Sequence, residues 1–522
     1  MTKKNKPGRN RKDKLRSTLG HHKRSGSKLV PPLMHALGDK AAMISWVNGR
    51  LVEMLWAVLL IHSLPRKEAL SVFIKIVEEI GFSLRETFEQ DSLEEHEVPD
   101  LTLTGISRFP ADLMGRLMGL ATATSEARLA LQSMLLIGMP PAIEDWKLRI
   151  LVEEDDVRND EERLSLLASA VMECLDHQSQ SSTDIRWMRL MFRVSIGKFH
   201  LPREVLKSWL DYPKHDPGDE VMRSLRPSIR AAEIGIGSMS VDTISTSLWV
   251  KEFWGECLER TACIEGDREG SERVDDSVRE SAFESLRQSA ESLYAHFHNS
   301  KSTSNGDHRH EVLFGLAFYG VNLFLETILG GNSSGISGRL LLRALCEVRI
   351  TLAYLLHKNE PELWSSFKEF GIGQAKLALL KFDAKEAPQN AESILDEAEL
   401  SIIANEEKFE EFVSVELGHW ASMDLRKMAE ASGTKPDYDE YFGWTSTFVH
   451  GSWAAVRSSA MTICGNPLHR LHRIPVGAPR SLPNSVAGAN SLLNSIFECV
   501  DTAYPGFSTR VALRVEKRAP TA

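Results

Sequence analysis

Apolar residues recur at intervals of three and four through most of this chain, while the strict alternation of a half-buried strand is nearly absent. That pattern predicts an all-α protein. In the first half it predicts a helix over 43–61, carrying Trp46, Met54, Leu55, Trp56 and Leu59, and a second over 66–81 after the break at Pro65. Further helices are expected near 110–123, 126–136, 160–174 and 184–196, separated by Gly/Pro- or Ser-rich connectors at 138–141, 178–183 and 212–218. Their spacing is too irregular for a named repeat. The second half predicts helices over 239–259, 278–298, 310–329, 338–357 and 361–379. Two Glu-rich helices over 390–412 and 415–431, read as an antiparallel pair, and a short helix at 491–500 complete the set.

The segment Gly338–His357, GRLLLRALCEVRITLAYLLH, departs from a simple amphipathic pattern. Arg339, Arg343, Glu347 and Tyr354 fall along one stripe, because their spacing nearly returns to the same angle at about 100° per residue. Leu340, Leu341, Leu345, Leu352 and Leu355 occupy the rest of the surface. Charges among so many leucines need partners, since an unpaired buried charge costs several kcal/mol or shifts its pKa. Arg343 and Glu347 are i,i+4 neighbours in the less favourable order, and an exposed pair of this kind contributes only about 0.2–0.5 kcal/mol. The stripe is therefore expected to be a buried ion pair that fixes neighbouring helices, or a substrate-facing guanidinium held by its carboxylate. Arg349 points to a different face.

The chain has 522 residues, 42% hydrophobic and 26% charged, the composition of a soluble globular protein of two or three domains. Its boundaries are read as a disordered basic tail at 1–28, an N-terminal helical array at 29–264 and a polar linker with one helix at 265–307. A C-terminal helical bundle at 308–478 and a mostly irregular tail at 479–522 follow. The net charge of −10 argues against a nucleic-acid coat over the whole chain. The tail is a local exception, with eleven Lys and Arg residues in its 28 positions and Asp13 as its acid, so it is either a solubilising arm or one that neutralises phosphates. No hydrophobic core follows it, so a signal peptide is not expected. Val312–Gly330 approaches membrane-spanning length, but Asn322 and Glu326 within it favour a buried core helix. The expectation is a cytoplasmic protein with no membrane partner.

Cys174, Cys257, Cys263, Cys346, Cys464 and Cys499 are scattered without a CxxC pair, and are read as buried reduced thiols. Two other clusters carry possible chemistry. In YFGWTSTFVHGSW, Phe442, Ser446 and His450 share a helical face, Gly451 can end that helix, and Ser452 can cap the next, which carries Arg457. Ser446 with His450 is no hydrolase dyad, because there is no GxSxG elbow and no oxyanion hole. In CGNPLHRLH, His469 and His472 flank Arg470; two histidines alone do not make a metal site, so this is read as a basic strip that contacts phosphates. No metal ligand and no cofactor is expected. P-loop, GxGxxG, HExxH, kinase and calcium-loop signatures are absent from the sequence.

LLRALCEVRITLAYL followed by STFVHGSW resembles a bacterial, all-helical family of unknown function that carries an Arg-xxx-Glu helix and a Ser-xxx-His-Gly segment; the resemblance covers about 310–475. LPRKEAL and RLVEMLW also resemble the N-terminal part of its longer members. A more distant resemblance is to HEPN-type helical domains, which implies metal-independent ribonuclease chemistry in bacterial stress or phage defence, commonly in a dimer. The chain departs from that motif, since Trp444 and Thr445 stand where its Arg-polar pair precedes the histidine. Arg343 or Arg457 would then stabilise the phosphorane, His450 would act as general acid/base, and Glu347 would orient the arginine. Ser446, Tyr354, Arg457, His469, Arg470 and His472 are the expected binding residues, with RNA as ligand. The alternative is a non-catalytic interaction protein, partnered by a second copy or another protein, whose Arg343/Glu347/His450 cluster is a structural polar network.

Overall fold

The computed structural model describes residues 19–32, 35, 45–88, 99–152, 158–239, 247–265, 276–303, 306–383, 396–406, 412–477 and 480–513. The chain is all-α. Strands among the described residues are confined to two short pairs, β1 (Lys23–Ser25) with β2 (Lys28–Val30), and β3 (Met461–Ile463) with β4 (Arg473–Pro475). Residues 1–18 of the basic tail lie outside the described residues. From Leu19 onward the expectation of disorder is corrected: a 3-10 turn leads into the antiparallel β1–β2 hairpin, whose turn uses Gly26 at φ 58°.

The chain divides into two compact units, residues 1–266 with 463–473, and residues 267–462 with 474–522. Unit 1 is a helical array around α1 (Leu55–Ser63), in which every residue from Leu55 to Ile61 is buried. A helix buried on all sides has no polar face to display, and α2 (Arg66–Phe88), α3 (Asp160–Leu175) and α4 (Gln180–Ser195) surround it. Trp56, Trp146, Trp209, Phe73, Phe192 and Phe253 fill this core. α5 (Leu248–Arg260) contributes Trp249, Phe253 and Trp254 on its inner face.

Unit 2 is built on three helices packed against one another: α6 (His308–Ile328), α7 (Ile336–Lys358) and α10 (Val486–Ala503). α6 is long and apolar enough to cross a membrane by length and composition, but His310, Leu313, Phe314, Ala317, Val321 and Phe324 are buried within the unit. Gly320 permits its close approach to α10 and α7: a Cβ there would lie 3.2 Å from Ile496 Cδ1 and 3.5 Å from Leu345 Cδ1. α7 starts after Gly335 and stops at Asn359, which takes the left-handed conformation at φ 49°. Two expectations are corrected here. The long antiparallel pair over 390–412 and 415–431 is instead two short helices, Glu397–Ala404 and Leu425–Ala431, with 384–395 and 407–411 outside the described residues. The short helix expected at 491–500 in a mostly irregular tail is instead the longer α10, whose Leu492, Leu493, Ile496, Phe497 and Val500 are in the core. Its Ser/Asn/Gly content conceals an apolar stripe at helical spacing.

Candidate functional site

In unit 2, the charged stripe of α7 meets α8 (Gly443–Val449), which is followed by α9 (Trp453–Ala460) after a turn at Gly451, φ 56°. The Arg343 guanidinium is engaged on three sides. Its Nη2 pairs with Glu347 Oε1 at 2.8 Å, its Nε donates to Ser446 Oγ at 3.1 Å, and its face lies 4.7 Å from the centre of the Phe442 ring. Ser446 Oγ in turn donates to the Phe442 carbonyl at 2.8 Å, so the serine accepts from the arginine and gives its own proton to the backbone. The side chains of Arg343 and Glu347 remain 22% and 38% exposed. Burial pushes the Glu347 carboxyl above its usual range, opposed by Arg343.

The other residues of the expected site lie elsewhere. His450 is exposed at the C-terminal end of α8; it makes no side-chain hydrogen bond or ion pair with Arg343, Glu347 or Ser446. Arg457 is exposed on α9. Tyr354 is only 3% exposed and sets its ring edge-on to Trp420 at 6.1 Å, so it serves the core rather than a binding surface. Arg339 is buried and donates to the Pro483 carbonyl. Arg349 does serve another contact, with Nη1 donating to Cys499 Sγ at 2.9 Å and Nε 3.7 Å from Asp437. A groove of about 650 Å³ runs beside α8, lined by Arg339, Leu342, Tyr441, Trp444, Thr445 and Leu482 among others, and neither Arg343, Glu347 nor His450 lines it.

His469 and His472 belong to unit 1, and they do not form the expected phosphate-contacting strip. His469 is 4% exposed, and Arg470 lies over the Trp254 ring at 5.3 Å. The two imidazoles turn toward Cys464, which is buried, and Cys263, which is exposed beyond the end of α5. His469 Nδ1 is 3.5 Å from Cys263 Sγ and 3.4 Å from Cys464 Sγ, and His472 Nε2 is 3.4 Å from Cys263 Sγ. Burial and the neighbouring His472 both hold the His469 imidazole below its usual pKa. Among the described residues, these four side chains are the group best able to hold a metal. Spacing along the chain concealed them, since 201 residues part Cys263 from Cys464; the crowded CGNPLHRLH run was the available signal.

Sequence patterning also missed a buried ionic network in unit 1. Arg189 Nε donates to both Asp100 carboxylate oxygens at 2.9 Å, and Arg193 Nη2 lies 3.5 Å from the same group. Arg186 pairs with Glu233 and lies 3.9 Å over the Trp46 ring. Arg66 forms a two-pronged contact with Asp184, which also accepts from Tyr212 Oη at 2.6 Å. Most of these groups are buried, as structural ion pairs are.

Residues 310–462 match a family of unknown function, DUF5677, and this span includes Arg343, Glu347, Ser446 and His450 but ends before Cys464. No curated protein matches the chain, and no solved structure matches it.

Proposed function

We propose that the 310–462 region is a non-catalytic helical interaction module, in which Arg343, Glu347, Ser446 and Phe442 lock α8 onto α7. One observation carries this reading: the Arg343 guanidinium already directs Nε at Ser446, Nη2 at Glu347 and its face at Phe442, while His450 stands outside the set. A transition-state-stabilising arginine needs donors aimed at an open position where charge develops. Here Nε and Nη2 are aimed at protein. The network's task is to hold α8 and α9 so that their outer surface is presented in a fixed orientation.

A second reading is contact with single-stranded RNA, including the cleavage expected of a HEPN-like defence factor. It is favoured by Trp444 and Trp453, 52% and 61% exposed, which flank exposed His450 along the chain, and by exposed Arg457 on the same short helix as Trp453. Exposed aromatics beside cations are the elements of a base-stacking platform. One experiment separates the two. The purified full-length chain is incubated with total RNA, alongside Arg343→Ala and His450→Ala variants whose thermal unfolding is also followed. The module reading expects intact RNA throughout, a lower melting temperature for Arg343→Ala, and a wild-type melting temperature for His450→Ala. RNA cleaved by wild type and spared by His450→Ala overturns it in favour of the nuclease.

A further inference from the structure

The four side chains gathered after α5 have the composition and dimensions of a metal site. All four candidate donor atoms lie within 4.8 Å of one another. A zinc tetrahedron with Zn–S of about 2.3 Å and Zn–N of about 2.0–2.1 Å has sulfur-to-nitrogen edges of roughly 3.5 Å. The three contacts between sulfur and imidazole nitrogen measure 3.4–3.5 Å. Ordinary core packing does not require two imidazoles and two thiols to aim at one point.

The hydrogen bonds around His469 decide which of its nitrogens is free to ligate. Asn466 Oδ1 accepts from the Leu468 N–H at 3.0 Å and its Nδ2 donates to the Ala262 carbonyl at 2.9 Å, which sets the amide's orientation. The same Nδ2 donates to Thr261 Oγ1 at 2.9 Å, and Thr261 Oγ1 gives its proton to the Cys257 carbonyl at 2.7 Å. Thr261 therefore has only an acceptor position left for His469 Nε2, 2.9 Å away. Asn466 Nδ2 also lies 3.4 Å from Nε2, but its two protons go to the shorter bonds at 2.9 Å, so Nε2 carries the ring proton and the Nδ1 lone pair faces the two sulfurs. A ring nitrogen held as donor by an outer partner, with the other turned inward, is the usual arrangement of a metal-bound histidine.

The backbone is arranged to the same end. Arg470 and Leu471, between the two histidines, both take left-handed conformations at φ 54° and 56°. Such conformations are unfavourable for residues other than glycine, and they persist where the surroundings require them. Here they reverse the chain so that His472 comes back beside His469, closed by a His472 N–H to His469 carbonyl bond of 3.0 Å. The Gly465 N–H donates to the Ile264 carbonyl at 2.7 Å, which places the Cys464 and Cys263 segments side by side.

We propose that Cys263, Cys464, His469 and His472 form a tetrahedral zinc site of structural type. Two thiolates and two imidazoles are the donor set that borderline-soft zinc takes, and four protein ligands leave no open position for a substrate. Each thiol releases its proton to solvent on binding, so two thiolates, two neutral imidazoles and Zn²⁺ make a centre without net charge. The metal ties segment 463–473, anchored in unit 1 by buried Leu468, to the residues that follow α5.

The test uses the full-length chain purified under reducing conditions. Bound zinc is measured by mass spectrometry, its affinity by competition with a chromophoric chelator, and its ligands by the absorption of the cobalt(II)-substituted protein. The expected result is one zinc per chain and a cobalt spectrum with thiolate charge-transfer and tetrahedral ligand-field bands. Cys263→Ser, at an exposed position, loses those bands and weakens zinc binding by at least tenfold. Thr261→Val, which removes the partner of His469 Nε2, weakens it by roughly 10–100-fold. Cys499→Ser, in unit 2, leaves it unchanged. Reduced wild type that binds neither zinc nor cobalt overturns the proposal, as does Cys263→Ser that binds like wild type. A Cys263–Cys464 disulfide in place of metal, seen as a mass two hydrogens lighter, also overturns it.

Discussion

Asp100 shows what a single buried charge does in this protein. Burial alone would raise its carboxyl pKa, but the Arg189 and Arg193 guanidiniums hold it well below the usual carboxylate range. Its folded pKa is therefore below its unfolded value of about 3.9. The sign follows from linkage: the stabilisation is complete above the unfolded value and is lost as pH falls through it toward the folded one. Asp100→Asn leaves two buried guanidiniums short of their counter-charge and is expected to cost about 3–5 kcal/mol at neutral pH. Denaturant titrations across the acid range should show that cost shrinking below pH ~4, where wild type loses its own advantage. None of this was legible in the sequence. Asp100 lies in an irregular stretch before Thr102, and the arginines of DIRWMRLMFR read equally well as a solvated helical face.

At the scale of elements, α6 carries two glycines whose substitution should act in opposite directions. Gly315 is exposed, and a Cβ there would meet no atom within 4 Å, whereas Gly320 is buried against α7 and α10. Gly315→Ala should stabilise the chain by about 0.8–1.0 kcal/mol through helix propensity alone. Gly320→Val overpacks the meeting point of three helices and should cost about 1–3 kcal/mol. Unfolding in guanidinium chloride, monitored by circular dichroism, checks both. Helix periodicity identified α6 and α7 almost to their ends, because long apolar stripes report burial directly. It failed at 412–424, where the expected helices were to continue but the described residues are irregular. It also undersized α10, since small polar residues diluted an apolar stripe that tertiary packing uses in full.

At the scale of the whole molecule, two compact units with separate cores imply that unfolding is not one all-or-none event. Calorimetry should give a measured enthalpy larger than the van't Hoff value. Zinc chelation or Cys263→Ser should shift the unit 1 transition, and Arg343→Ala the unit 2 transition. A single transition moved equally by both changes would contradict this.

What the sequence by itself determined is the class of the fold and the address of its polar helix: periodicity is local, and a stripe of charges among leucines is visible within twenty residues. The Arg343–Glu347 pair and the Ser446 position were singled out in this way, but not that Ser446 and Phe442 complete the arginine's partners and leave His450 outside. Only the tertiary structure decided the metal-type cluster, because a site is a point in space and its ligands need no common spacing along the chain. CGNPLHRLH supplied three candidate ligands, and the fourth, Cys263, came from 201 residues earlier once the two segments lay side by side.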